Sequence, residues 1–247
     1  MPEIDATFVW ALLIVFLAAA TSGLAGFGFS IVSVPALLIF YDPSTVIALN
    51  KVLTLGTTWI VLIGIWRCIS WPHLARTVPF AIAGLFGGIL VLKALDAQAI
   101  KLIVGVIVIL FALLLLSGKV RHVAEQPWMA PVTGLASGLS STSTGMSGPP
   151  LVLLFTVIGL PVQVFRATSV CYFLLIDLVG LPALITQGVI SRSDIVLSLL
   201  LAPAAVAGRW AGSLLVPYVT PARFRRVVLF LLLGTGAIAI VNAVANM

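Results

Sequence analysis

Thr21-Ser22-Gly23-Leu24-Ala25-Gly26-Phe27-Gly28-Phe29-Ser30 lies in the middle of an uncharged apolar run, Phe8–Phe40, that is 33 residues long. A second uncharged run, the 40 residues Gln126–Phe165, is interrupted by Ser140-Ser141-Thr142-Ser143-Thr144-Gly145-Met146-Ser147-Gly148-Pro149-Pro150. About 20 apolar residues cross the roughly 30 Å hydrocarbon core of a bilayer. Both runs are therefore too long for one crossing, and a middle rich in Ser, Thr and Gly is a poor helix interior. Each reads as two half-helices meeting at a break. Working outward, six further stretches near 43–66, 72–94, 99–117, 163–187, 193–216 and 223–245 each have the length of one span.

Composition agrees. The 247 residues are 62% hydrophobic and 8% charged, with a mean hydropathy of +1.27, where a soluble domain carries about 45–50% apolar and about 25% charged residues. The class is all-α, a polytopic membrane protein. The excess of 13 Lys and Arg over 7 Asp and Glu is scattered singly. That argues against nucleic acid as a partner and suits loops facing the cytoplasm. Cys68 and Cys171 stand alone, so neither a disulfide framework nor a metal motif is indicated. Met1–Thr7 carries Glu3 and Asp5 without a basic residue, unlike a signal peptide.

The two interrupted runs are copies. Ser22-Gly23-Leu24 recurs as Ser137-Gly138-Leu139, an offset of 115, and at that offset Pro35 meets Pro150, Phe40 meets Phe155, Lys51 meets Arg166 and Thr54 meets Ser169. Further on the offset becomes 124, where Pro79 meets Pro203, Gly84 meets Gly208, Gly88 meets Gly212 and Lys101 meets Arg225. Nine matches in order mark an internal duplication, with a first repeat over 1–118, a cytoplasmic linker over 119–127 and a second repeat over 128–247. Loop charges choose between parallel and inverted halves. With five segments per half, Arg67, Arg76, Lys119, Arg121, Arg166, Arg223, Arg225 and Arg226 share one side against Lys93, Lys101 and Arg192, 8 against 3. With four per half the count is 5 against 6. Five plus five is expected, with inverted repeats and both termini periplasmic.

No catalytic constellation accompanies His73 or His122, which fall in predicted loops, so no enzyme and no cofactor are expected. The breaks carry more information. Backbone polar groups at membrane depth need protein or a wet cavity around them, and a half-helix starting there offers free N–H groups and the positive end of its dipole to an anion. Gly26, Gly28 and Ser30 in the first half, and Ser147 before Gly148-Pro149-Pro150 in the second, are such starts; close helix packing is the plainer use of the same small residues. Charges within spans are functional candidates by default. Lys51, preceded by Asn50 and followed one turn later by Thr54, has its counterpart in Arg166, followed by Ser169. Snorkelling to the interface is the alternative for both cations. Asp177 and Arg209 are expected to form a structural ion pair, or Asp177 to carry a coupling proton. Phe27, Phe29 and Tyr172 either gate a pocket or face lipid. Trp10, Trp66, Trp71, Trp128 and Trp210 fall near span ends, as interfacial belts do.

The stretch Ser22 to Phe29 with Pro35, its copy from Gly138 to Gly148-Pro149-Pro150, and the Pro79…Gly84…Gly88 pattern echoed at Pro203, Gly208 and Gly212 resemble the TauE/SafE family of transporters, also called TSUP, over nearly the whole chain. The resemblance implies a bacterial inner-membrane transporter of sulfur-containing anions such as sulfite, thiosulfate, sulfoacetate or related organosulfonates. On this reading Lys51, Arg166 and Asn50 with Thr54, Ser169 and Tyr172 surround the anion. Gly26, Phe27, Gly28, Ser30, Thr142, Ser143, Thr144, Gly145, Ser147 and Gly148 supply the breaks around it, and Pro35 and Pro150 act as hinges of alternating access. The Thr/Ser run at 140–144 departs from a glycine-aromatic copy of the first break. The expected partners are a small sulfur oxyanion or sulfonate and membrane lipid, with a homodimer as the open oligomeric option. A channel and an intramembrane enzyme are the alternatives.

Overall fold

The computed structural model of the chain describes residues 6–117 and 123–216. Apolar runs become helices wherever no proline or glycine cluster interrupts them. In order these are α1 (Ala6–Ala25), α2 (Phe29–Leu37), α3 (Pro43–Ile65), a 3-10 turn at Trp66–Cys68, α4 (Trp71–Ala94), α5 (Ala97–Ser117), α6 (Met129–Ser143), α7 (Gly148–Val157), α8 (Val162–Thr186) and α9 (Arg192–Leu215). Six of them are long and apolar enough to cross a membrane, and the chain is a multi-pass membrane protein. Start signals are local. Pro43 opens α3 behind Asp42, and Ser191 and Asp194 form a capping box on α9, each satisfying helix-end N–H groups or removing one. The expected span at 223–245, the charges at 119, 121, 223, 225 and 226, His122 and both termini lie outside the described residues.

Each long run is split, as its interior composition requires. Gly26 (φ 80°) and Gly28 (φ 101°) turn the chain between α1 and α2, and Gly145 (φ 76°) turns it between α6 and α7, a region of backbone space that costs other residues energy. The half-helix description fits α2 and α7, at 9 and 10 residues. It does not fit α1, whose 20 residues are a full span in length.

Side-chain contacts sort the helix ends onto two faces of the bundle. On one face Arg76 of α4 reaches Glu125, Val123 donates to the Val157 carbonyl at the end of α7, and Ser70 N–H donates to Thr168 Oγ1 of α8. On the opposite face Thr45 of α3 donates to Asp194 of α9, and Lys93 of α4 to Gln187 beyond α8. The α6–α7 hairpin thus starts and ends on the first face. The α1–α2 hairpin belongs to the other, because α1 runs alongside α9 and α2 returns to the start of α3.

Glycine sets the closest helix approaches. A Cβ on Gly138 of α6 would fall on the Ala81 carbonyl of α4, and one on Gly23 of α1 would fall on the Arg209 carbonyl of α9. Gly84 faces the Leu135 carbonyl and Gly212 the Ala20 carbonyl in the same way. Since 138 − 23 and 135 − 20 both equal 115, the packing counterpart of Gly84 is Gly212, not the Gly208 that the sequence offset pairs with it. The difference is four residues, one helical turn, which keeps a glycine on the same helix face and so leaves the sequence match looking intact. Small residues at such crossings let backbones touch, which is the usual source of association energy between helices in lipid.

Candidate functional site

The two breaks meet in the interior. Gly148, at the start of α7, lies against Ile31 and Ser30 of α2, and Gly145 lies against Val34 and Ile47. Between them is a cavity of about 30 Å³ bounded by Ser22, Gly26 to Ser30, Asn50, Lys51, Thr54, Thr58, Gly145, Ser147, Val170, Phe173, Asp177 and Arg209. At roughly 10–15 Å³ for one water centre, this is space for two or three waters. On α3 the residues Asn50, Thr54 and Thr58 follow at intervals of four and so share a face; Val170, Phe173 and Asp177, at intervals of three and four, share one on α8.

The charges in the cavity are connected differently from the expectation. Lys51 Nζ lies 2.6 Å from Asp177 Oδ1, with the two side chains 3% and 7% exposed, and also donates to Ser141 Oγ of α6. The absence of a Cβ at Gly180 leaves room for that ammonium, since one would sit 3.3 Å from Nζ. Asp177 therefore pairs with Lys51 and not with Arg209. Arg209 instead donates to Thr58 Oγ1 at 2.9 Å and to Ser22 Oγ at 3.0 Å. Sequence spacing predicts neither arrangement, because Lys51 and Asp177 are 126 positions apart.

Arg166 is buried, so it does not snorkel, but it does not border the cavity either. Its guanidinium donates to the Gly23 carbonyl at 2.9 Å, in the last turn of α1, where a cation meets the negative end of the helix. Its stem packs on Gly26, whose missing Cβ would lie 3.0 Å from Arg166 Cβ. Lys51 makes the matching reach to Ser141 near the end of α6. Both cations thus touch the ends of α1 or α6, and only Lys51 faces the cavity.

The remaining expected residues divide. Gly26, Phe27, Gly28, Ser30, Asn50, Thr54, Gly145 and Ser147 border the cavity with Lys51. Thr142, Ser143 and Thr144 are turned away and donate to the carbonyls of Leu85, Leu139 and Ser140. Gly148 packs on Ile31, while Ser169 and Tyr172 are wholly buried outside the cavity. Pro35 lies within α2, and Pro150 lies in the first turn of α7. Ser22, Thr58, Val170 and Phe173 complete the wall without having been singled out; the four-residue periodicity from Asn50 is the signal that points to Thr58.

The two helix starts also differ. In α2 the first N–H to bond within the helix is that of Val32, to the Gly28 carbonyl, so the amides of Phe29, Ser30 and Ile31 form the free end beside the cavity. Pro149 and Pro150 remove two such donors from α7. Beside the cavity, Phe27 meets Phe165 edge-on at 5.4 Å, Phe165 meets Phe155 at 6.0 Å, and Phe155 meets His73 at 6.1 Å. This aromatic row runs from the cavity to the face that holds Arg76 and Glu125. His73 is thus a packed residue in the first turn of α4, with its ring also 3.4 Å from Glu125, and not an exposed loop histidine. All five tryptophans placed near span ends are more than half exposed.

The cavity sums two cations, one carboxylate and a helix N-terminus, with neither a nucleophile beside a base nor, among the described residues, a cluster of metal ligands. Comparison with known proteins gives the family. The family model for the sulfite exporter TauE/SafE matches residues 11–238. The chain is 27% identical over 225 residues to the probable sulfite/organosulfonate exporter TauE of Cupriavidus necator, covering 89% of this chain and 88% of that protein. No solved structure matches it. Members of the family are exporters, and this protein is a transporter rather than an enzyme. From the residues matched and the length covered, the chain belongs to the sulfite exporter TauE/SafE family.

Proposed function

We propose that the protein is a secondary transporter of the bacterial inner membrane that moves a small sulfur-containing anion, an organosulfonate or sulfite, by alternating access. One observation carries this reading. The α1–α2 and α6–α7 breaks converge on one interior cavity whose side chains sum to +1, from Lys51, Arg209 and Asp177, and whose wall includes the N-terminal end of α2. Arg209 takes the place expected of Arg166 as the second cation at the anion. Its planar fork of donors suits a sulfonate; it is held by Ser22 and Thr58, both hydroxyls that an arriving oxyanion can replace.

The hairpins entering from opposite faces support inverted repeats, 1–118 and 128–247 about the 119–127 linker. The charge count favours a cytoplasmic Arg76–Glu125 face and periplasmic termini. Rocking of one repeat against the other opens the cavity to each side in turn. The Phe27, Phe165 and Phe155 row is the cytoplasmic closure in the conformation described. The small size of the cavity, about 30 Å³, favours a carrier over a channel, because a channel keeps a continuous path.

The test is uptake of labelled sulfoacetate into proteoliposomes, with sulfite, sulfate and chloride as competitors. Saturable uptake with counterflow, inhibited by sulfur oxyanions and reduced at least 10-fold by Arg209→Ala, is expected, since losing a charged hydrogen bond is worth about 1.5–3 kcal/mol. Flux that neither saturates nor exchanges means a channel. Wild-type uptake in Arg209→Ala removes that residue from the site.

A further inference from the structure

A site for anions that holds a carboxylate against its own lysine contains its own competitor. Asp177 Oδ1 occupies, at 2.6 Å from Lys51 Nζ, the position an oxygen of a bound anion would take. The charged groups that face Asp177 are Lys51 from α3 and Arg209 from α9. From α6, Ser141 shares the Lys51 ammonium, and on α8 itself Tyr172 is the neighbouring titratable group. The stretches of α1 and α2 at the cavity bring hydroxyls, amides and aromatic rings, and no charge. The helix end supplies donors that cannot titrate, and among the described residues Asp177 is the cavity's one carboxylate.

The charge balance then depends on the ligand. With every group ionised the cavity carries +1, and a monoanion brings it to zero while Lys51 stays on Asp177. A dianion would leave it at −1, with its second acidic group excluded from Lys51. If Asp177 takes a proton, the cavity carries +2, the dianion again brings it to zero, and the ammonium is released to the ligand. Unmatched charge at membrane depth is what such a site has to avoid.

We propose that Asp177 matches the charge of the site to that of its cargo. A monoanionic sulfonate crosses with Asp177 ionised and still paired to Lys51. A dianion bearing both a carboxylate and a sulfonate crosses together with one proton. That proton is taken from water onto an Asp177 carboxylate oxygen as Lys51 transfers its hydrogen bond to the ligand, and is given back to water on the far side as the Lys51–Asp177 pair re-forms. This inference rests on the sulfur-anion carrier reading above, and it names the cargo classes and the coupling ion of that same site.

Two sulfonates of fixed charge test it: sulfoacetate, a dianion at neutral pH, and methanesulfonate, a monoanion. Wild-type protein in liposomes containing a pH-sensitive dye, with the membrane potential clamped, is expected to move about one proton per sulfoacetate and none per methanesulfonate. In Asp177→Asn the proton count for sulfoacetate falls to zero. The ratio of sulfoacetate to methanesulfonate uptake rises by about 10-fold, within the usual range of a coupling between two sites. Equal proton counts for the two anions in wild type overturn the proposal without any variant, which covers the case that Asp177→Asn fails to fold. Proton movement that persists with sulfoacetate in Asp177→Asn overturns it as well. Uptake of neither anion by wild type overturns the carrier reading beneath it, an outcome distinct from uptake without charge matching.

Discussion

Lys51→Met removes one member of a pair whose atoms lie 2.6 Å apart and whose side chains are almost wholly buried. At an effective dielectric constant near 20, two unit charges at that distance attract by about 6 kcal/mol. Much of that attraction is offset by taking both groups out of water. What remains is an asymmetry: breaking a buried pair by deleting one partner costs about 3–5 kcal/mol, whereas replacing both with apolar groups is close to neutral. For a chain of this size a kilocalorie shifts the unfolding midpoint by roughly 2–4 °C. Lys51→Met and Asp177→Asn are each expected to lower the midpoint of the detergent-purified protein by roughly 6–20 °C. The double variant Lys51→Met/Asp177→Met keeps the +1 of Arg209 and is expected to lie closer to wild type than either single variant. The two singles also move the cavity's charge in opposite directions. Asp177→Asn leaves +2 in the cavity, so millimolar sulfonate should raise its midpoint more than that of wild type. A double variant as unstable as the sum of the singles, measured by thermal unfolding in matched salt, would refute the pairing.

Two further expectations concern positions beside the cavity. Gly28→Ala meets no crowding, the nearest foreign atom to its Cβ being Thr21 Oγ1 at 4.0 Å, but it must hold φ 101°; the strain of about 1–3 kcal/mol is expected to lower both the thermal midpoint and the transport rate, and wild-type values for both would show that the α1–α2 turn relaxes. Arg166→Ala loses the bond to the Gly23 carbonyl and with it about 1.5–3 kcal/mol, so stability should drop while the KM for sulfoacetate stays near wild type, the opposite of Arg209→Ala; a large KM change in concentration-dependent uptake would return Arg166 to the anion.

Much of the fold was legible because it depends on local chemistry. Helix boundaries at Pro43, Trp71, Ala97, Val162 and Arg192 fall within two residues of the apolar runs that foretell them. The splits at Gly26–Gly28 and Gly145 follow from residues that serve as poor helix interior wherever they occur. The site was half legible. Asn50, Lys51, Thr54 and the first break stand at the cavity, since a polar residue at membrane depth has few other places to go. The hydroxyls of Thr142, Ser143 and Thr144 misled, because a hydroxyl in a helix can satisfy itself on a carbonyl one turn back, or on a neighbouring helix, as readily as on a ligand. The repeat misled in a second way. It pairs Lys51 with Arg166 as counterparts, but equivalence of position does not make both cations part of one pocket.

By itself, then, the amino-acid sequence determined that the chain crosses a membrane, where most of its described helices begin, and that its two long runs break in the middle. Each of these depends on hydropathy and backbone preference within a few residues. Only the tertiary structure decided that Asp177 neutralises Lys51, that Arg209 rather than Arg166 faces the cavity, and that Gly84 packs as Gly212 does. Those are contacts between helices remote in sequence, and their partners are chosen by which faces meet and by one turn of register, neither of which is written in the local pattern.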